Sequence, residues 1–414
     1  MEYGCIGEHL KHSFSAEIHR ELASYRYELQ ELAPEEVGAF LTAGDFRGIN
    51  VTIPYKETVI PYLSYIDEQA KAIGAVNTIV NRNGRLYGYN TDFYGMNALI
   101  ARLGLSLAGK KVAVLGTGGT SRTACAVAES LGSSTVLRVS RSARNGAIDY
   151  ETLSREHADV QVLINTTPCG MYPHPHGTAV NIADFPNLEG VVDAVYNPLR
   201  PQLVLDARAR GIPAEGGLFM LVAQAVRASE IFLDVIYPNE VLHRVYQTVL
   251  RQKENMVLIG MPGCGKSTVG ALLAERLGLT LCEMDAMIAE DAGKSIPELF
   301  AEVGEQGFRD LESRVISEKL ALRNGLLIST GGGAILRDEN VNELKRNGRL
   351  YFVDRPLEEL LPTADRPLAS SREAIRRRYE ERYGRYCAVA DCRIEVNGDA
   401  AGVAEDIERE WKQV

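Results

Sequence analysis

Residues 256 to 268 read Met256-Val-Leu-Ile-Gly260-Met-Pro-Gly263-Cys-Gly265-Lys266-Ser267-Thr268, an apolar run followed by the spacing G-x-x-x-x-G-K-S/T. A strand that ends in this turn and leads into the helical pattern Val269 to Leu277 aims successive backbone amides at phosphate groups. Lys266 brings a mobile positive charge to the β and γ oxygens, and the Ser267 hydroxyl suits magnesium. Gly263, Gly265, Lys266, Ser267 and Thr268 are therefore expected to hold a nucleotide, on an α/β fold with a parallel sheet. The loop leaves the phosphoryl acceptor open, because many small-molecule kinases and NTPases share it.

Earlier in the chain the same grammar occurs once more with different residues. Lys111-Val-Ala-Val-Leu115 reads as a strand, Gly116-Thr-Gly118-Gly119 as a turn, and Arg122 to Ala128 as the start of a helix, the order of a dinucleotide-binding unit. Ser121 replaces the third glycine of the usual fingerprint. The next strand, Thr135 to Val139, ends in Ser140-Arg141-Ser142, where an NAD site would carry an acid for the ribose hydroxyls. Arg141 and nearby Arg144 instead suit a 2′-phosphate, since a guanidinium binds phosphate through two parallel hydrogen bonds. NADP(H) is thus favoured over NAD(H), with Gly116, Gly118, Gly119, Ser140 and Arg141 on the cofactor.

The 414 residues call for two or three domains. The 45% hydrophobic and 24% charged content is that of a chain that folds. A net charge of −10 argues against nucleic acid or anionic lipid as a partner. Seven scattered cysteines form no CxxC pair, and no apolar run is long enough for a signal peptide or membrane span, so a reduced, cytoplasmic compartment is expected. Further strand patterns at Val160 to Ile164 and Val191 to Val195 continue the α/β alternation. The polar stretch Leu250-Arg-Gln-Lys-Glu-Asn255 marks the main boundary. The expected division is a substrate domain over 1–95, completed by a helix over 218–250, a Rossmann domain over 96–217, and a P-loop domain over 256–414.

Small polar groups recur at loop and strand ends before the first glycine turn: His12-Ser13-Phe14-Ser15, Asn50-Val-Thr52-Ile-Pro-Tyr-Lys56, Gly74-Ala-Val-Asn77-Thr78 and Gly88-Tyr-Asn-Thr-Asp92. Converging on one cleft, they would suit a polyhydroxylated acid. In this order, and with Asn165-Thr166-Thr-Pro168, Asp193-Ala-Val-Tyr196-Asn-Pro198 and Gly217 to Gln224 after them, they resemble the shikimate dehydrogenases over residues 1–250. The resemblance implies that Ser13, Ser15, Thr52, Lys56, Asn77, Asp92 and Gln224 contact shikimate. It makes Lys56 the acid/base and Asp92 its partner, and puts Thr166 and Gly217 on the cofactor side. His9, Ala16 and Arg20 depart from the family's usual residues without removing a catalytic group, and His12 and His19 read as structural.

Downstream of the second turn come Glu283-Met-Asp285, Gly304 to Glu312, Ser329-Thr-Gly331-Gly332-Gly333, Asp365-Arg366-Pro-Leu368 and Arg382. This set resembles shikimate kinase over 256–414. The resemblance implies that Asp285 binds the acceptor hydroxyl and acts as base, that Arg309 and Arg382 clamp the substrate carboxylate with Gly332 close by, and that Arg366 is the lid arginine. Glu283 stands in place of the first acid of an Asp-x-Asp pair and is expected to join Ser267 at magnesium. The lid segment Leu360-Leu-Pro-Thr-Ala364 is short. Together the two resemblances imply NADPH-dependent reduction of 3-dehydroshikimate to shikimate, then phosphorylation by ATP and magnesium. Quinate or NAD for the first site, another small polyol for the second, and a metabolite-sensing regulator on the same domains are the alternatives. Oligomeric state has no signature here.

Overall fold

Short Val- and Ile-rich runs become the strands of three sheets. The computed structural model describes residues 1–10, 13–144, 146–360 and 371–413. Among them the first sheet holds β1 (Tyr3–Gly7), β2 (Tyr27–Glu31), β3 (Gly48–Val51), β4 (Tyr65–Ile66), β5 (Thr78–Arg82) and β6 (Arg85–Tyr89), in the order β2-β1-β3-β5-β6-β4. It is mixed: β1 pairs in parallel with β2 and β3, while β5 runs antiparallel to β3 and β6.

The second sheet is wholly parallel. It comprises β7 (Lys111–Leu115), β8 (Thr135–Ser140), β9 (Ile148–Asp149), β10 (Val162–Asn165), β11 (Gly190–Asp193) and β12 (Ala214–Glu215), ordered β12-β11-β10-β7-β8-β9. Because helices cover both faces, its central strands read as unbroken apolar runs, and Val112 through Leu115 are fully buried. Chain order reverses at β7, which puts the first glycine turn at the switch point where such sheets bind ligands.

The third sheet, β13 (Asn255–Ile259), β14 (Thr280–Glu283), β15 (Leu326–Ser329), β16 (Gly348–Asp354) and β17 (Cys392–Glu395), is ordered β14-β15-β13-β16-β17 and is also all parallel. The second glycine turn follows its central strand, β13. The expected α/β class, with a dinucleotide-type parallel sheet and a second parallel sheet behind the later glycine turn, is the fold observed.

Two compact units divide the chain, Met1–Val249 and Leu250–Val414. The single helix expected over 218–250 is in fact two, Leu218–Leu233 and Asn239–Lys253. Asp234 ends the first in the left-handed conformation, φ 56°, and Pro238 follows, which cannot continue a helix. The polar stretch after Leu250 is not a linker. Arg251 and Lys253 complete the last turn of the second helix, where cations favour the helix dipole, and Asn255 already opens β13. No helix among the described residues is long and apolar enough to cross a membrane.

Candidate active sites

In the first unit a lysine and an acid meet where sheet, loop and helix converge. Asp92 is the first residue of the helix Asp92–Arg102, and Lys56 lies within the turn after β3. Lys56 Nζ donates to Asp92 Oδ2 at 2.5 Å, with side chains only 12% and 9% exposed. Thr91, the residue before Asp92, gathers two more groups. Its amide donates to Asn77 Oδ1 at 2.7 Å, Asn77 Nδ2 donates to Thr91 Oγ1 at 3.0 Å, and the Thr91 hydroxyl donates to Gln224 Oε1 at 3.4 Å. Ser13 Oγ donates to Ser15 Oγ at 3.1 Å at the start of the helix Ser15–Leu22. Thr52 lies at the end of β3, its amide bonded to the Ile6 carbonyl.

The nucleotide turn abuts this pair. A methyl group built on Gly119 would rest 3.4 Å from Lys56 Cδ, so the first residue of the helix Gly119–Ser130 lies against the lysine. Ser121, the departure from the glycine fingerprint, is buried, and its hydroxyl donates to the Gly116 carbonyl at 2.7 Å, closing the turn from within. Gly118 caps the helix with no side-chain bond to its amides, a cradle that fits a pyrophosphate. At the end of β8, Ser140 Oγ donates to the Ser142 carbonyl at 2.5 Å; Arg141 and Arg144 beside it are exposed, as a 2′-phosphate needs.

Across the turn, Thr166 Oγ1 donates to the Leu115 carbonyl at 2.6 Å, and the Gly217 amide to the Val195 carbonyl at 2.8 Å. Asp193 braces this loop: it accepts from Asn165 Nδ2 and the Val195 amide, each at 2.9 Å, and burial pushes its carboxyl up to about 7. His19 is structural. Fully buried, it stacks on Tyr27 with ring centroids 3.8 Å apart, and burial lowers its pKa to about 3. His12 lies outside the described residues.

In the second unit Gly265 adopts φ 103° immediately before the helix Lys266–Leu277, a conformation open in practice to glycine. Lys266 folds back over the loop, only 5% exposed, and donates to the carbonyls of Gly260 at 2.9 Å and Met261 at 3.1 Å. Ser267 Oγ donates to Glu283 Oε2 at 3.2 Å, while buried Glu283 Oε1 has no partner among the described residues. A hydroxyl beside a carboxylate with an oxygen to spare fits magnesium or one of its waters.

The glycine triplet after β15 is enclosed by charge. A methyl built on Gly331 would lie 2.6 Å from Glu312 Oε1 and 2.8 Å from Asp285 Oδ1, and one on Gly333 only 1.9 Å from Arg309 Nη1. Arg309 is ion-paired with the fully buried Glu312, whose pKa burial raises against the opposing pull of Arg309. Arg309 Nε, itself buried, finds no acceptor among the described residues. Arg382 Nη1 donates to the Gly332 carbonyl at 3.1 Å. Two buried guanidiniums at one glycine corner thus present donors to an anion. Arg366 and the lid residues 361–364 lie outside the described residues.

Residues 5–79 match the family described as shikimate dehydrogenase substrate binding domain, and residues 262–412 match shikimate kinase. The shikimate dehydrogenase (NADP(+)) of Clostridium perfringens strain SM101 is 35% identical over 263 residues, spanning 59% of this chain and 97% of the relative. The chain belongs to the shikimate dehydrogenase family. A second member, from Geobacillus kaustophilus, is 36% identical over 250 residues, or 55% of this chain and 91% of the relative. Among solved structures, shikimate dehydrogenase 1 of Peptoclostridium difficile is 34% identical with a TM-score of 0.56, covering 60% of this chain and 98% of that one. The Thermus thermophilus enzyme in complex with NADP(H) and shikimate is 26% identical, with a TM-score of 0.54 over 60% of this chain and 99% of that one. A Clostridium acetobutylicum chorismate mutase/shikimate 5-dehydrogenase fusion is 31% identical, with a TM-score of 0.56 over 60% of this chain and 96% of that one.

Three residues that hold these sites together carry no role in the sequence reading. In the shikimate dehydrogenase unit, Thr91 links Asn77 to Gln224; its only sequence signal is its place beside Asp92. In the shikimate kinase domain, Glu312 pairs with Arg309 three residues earlier, and Tyr386 lies four after Arg382. Both are helical spacings that put the side chains on one face. The fully buried Tyr386 hydroxyl lies 3.0 Å from the Gly260 carbonyl and 2.6 Å from that of Gly332, tying the phosphate loop to the triplet.

The triplet gives a direct test of the clamp. Arg309 is pinned by buried Glu312 and cannot retreat cheaply from a new methyl group. Gly333→Ala is therefore expected to raise the acceptor KM of the kinase about tenfold or more, since a misplacement near 1 Å can cost this much. Steady-state kinetics at saturating ATP will show it; an unchanged KM would mean that Arg309 does not touch the acceptor.

Proposed function

We propose that this chain reduces 3-dehydroshikimate to shikimate with NADPH in its first unit and phosphorylates the 3-hydroxyl of shikimate with ATP and magnesium in its second. The observation that carries the first half is the buried Lys56–Asp92 pair lying against the first residue of the nucleotide helix. We assign residues 1–95 and the two helices after Gly217 to substrate binding, 96–217 to NADP(H), and 256–414 to the kinase, all in a reducing cytoplasm where the seven cysteines stay unpaired.

NADPH, when bound, supplies the hydride. Lys56 donates a hydrogen bond to the ketone oxygen, stabilises the charge that develops there and delivers the proton. Asp92 holds the lysine and accepts from a neighbouring substrate hydroxyl. Ser13, Ser15, Thr52, Asn77 and Gln224 fix the ring and its carboxylate, while Arg141 and Ser140 hold the 2′-phosphate that distinguishes NADP(H).

ATP with its magnesium supplies the phosphoryl group, and Ser267 and Glu283 hold the metal or its water shell. The amides of Gly263, Gly265 and Thr268 cradle the phosphates. Lys266 exchanges its loop carbonyls for phosphate oxygens, Asp285 takes the proton of the attacking hydroxyl, and Arg309 and Arg382 hold the carboxylate beside Gly332. The resemblance to shikimate kinases assigns Arg366 to the transferring phosphates.

Mass analysis of products formed from 3-dehydroshikimate, ATP, magnesium and NADPH deuterated at the transferred position tests both halves. Shikimate 3-phosphate carrying one deuterium is the expected product. Unphosphorylated deuterated shikimate alone would exclude the kinase reading, and no deuterated product would exclude the reductase.

A further inference from the structure

The helix Ile296–Val315 is broken at Gly304, where φ is 69° and ψ −177°, and the first residue beyond the break, Glu305, reaches back into the arginine clamp. Its Oε1 lies 3.4 Å from Arg309 Nη2 and 3.6 Å from Arg382 Nη2. One carboxylate oxygen thus sits between the two guanidiniums that the proposed function gives to the substrate's carboxylate. Glu312 also pairs with Arg309, but the two acids differ in kind: the Glu312 side chain is fully buried, that of Glu305 is 48% exposed.

Charge-assisted N–H to carboxylate bonds settle near 2.7–2.9 Å, so contacts of 3.4 and 3.6 Å are loose ones, made by a group half in water. A half-exposed ion pair contributes little and yields readily. The break provides the means of yielding. Positive φ at Gly304 separates two helical segments, and a Cβ built there meets nothing within 4 Å, so open space adjoins the hinge. The buried Arg309 Nε, without an acceptor among the described residues, marks the clamp as under-filled even with Glu305 in place.

We propose that Glu305 is an internal occupant of the carboxylate clamp, displaced by the substrate's own carboxylate, and so holds down both the affinity for acidic acceptors and their advantage over neutral ones. Glu305 acts through the two arginines, as a positioning residue. An incoming carboxylate exchanges with it and keeps the charge of the clamp constant; a neutral ligand cannot repay its removal and binds with Glu305 in place. The inference rests on the kinase reading of this domain.

The test uses the full chain with ADP formation as readout, at saturating ATP, with shikimate or its methyl ester as acceptor. Glu305→Gln is expected to lower the KM for shikimate about three- to fivefold, the range of a partly exposed ion pair, with kcat unchanged. The KM for the methyl ester stays put, so discrimination between acid and ester rises by the same factor. Glu305→Ala should move the shikimate KM in the same direction, and kcat near wild type in either variant reports an intact fold. A raised or unchanged KM for shikimate, or an equal gain for the ester, would overturn the displacement. Absence of shikimate-dependent ADP formation in the unmodified chain would instead overturn the kinase reading, and the displacement with it.

Discussion

Replacing Lys56 with Met is expected to cut NADP(+)-linked shikimate oxidation about a thousandfold or more, the combined loss of a proton-transfer group and of charge stabilisation at the reacting oxygen. The phosphorylation catalysed by the same chain should be untouched. Lys56 Nζ stands 2.5 Å from Asp92 Oδ2, its side chain 12% exposed, and Met fills nearly the same volume without the charge. The variant also leaves Asp92 buried without its cation, which costs about 3 kcal/mol, as breaking a buried pair usually does. Activity is therefore to be measured well below the lowered melting temperature, with NADP(+) affinity as the sign that the nucleotide domain stands. Oxidation within tenfold of the unmodified rate would mean that another group carries the proton.

The scaffold was legible because its signals are local. A Val-rich run, a glycine turn and a helical pattern lie within twenty residues of each other at both β7 and β13, and each specifies strand, turn and helix without reference to the rest of the chain. The 218–250 segment was harder to read, since its hydrophobic pattern persists through the gap. What ends the helix Leu218–Leu233 is the left-handed Asp234 and, four residues on, Pro238, and a left-handed aspartate has no periodic signature. The candidate site divides in the same way. Lys266 and Ser267 lie inside one motif, whereas Lys56 and Asp92 are joined only by the fold, and the groups that orient them lie further off still. Thr91 to Gln224 spans 133 residues and Tyr386 to Gly260 spans 126. Such pairings depend on which strands and helices end together, and a single sequence without a resemblance to follow does not encode that in any spacing.

Lys266→Met is expected to lower the kinase turnover about a thousandfold, as loss of a charge aimed at transferring phosphates does, while shikimate oxidation stays at its original rate. Its effect on stability should be the reverse of that of Lys56→Met, and the reason lies in the partners. Lys56 is matched by a buried carboxylate, whereas the Lys266 ammonium rests on two neutral carbonyls, Gly260 at 2.9 Å and Met261 at 3.1 Å. Burying a cation without a counter-charge costs solvation that the carbonyls repay only in part. An apolar side chain of similar length removes that cost, and the Met261 carbonyl keeps a donor in the Cys264 amide at 3.2 Å. The melting temperature of the kinase unit should therefore stay the same or rise by a few degrees, while that of the dehydrogenase unit falls in the Lys56 variant. Differential scanning calorimetry on both variants decides it: a kinase transition lowered in Lys266→Met as far as the dehydrogenase transition is in Lys56→Met would show that Lys266 stabilises the fold, and that its poised, uncompensated charge is not held in reserve for the nucleotide.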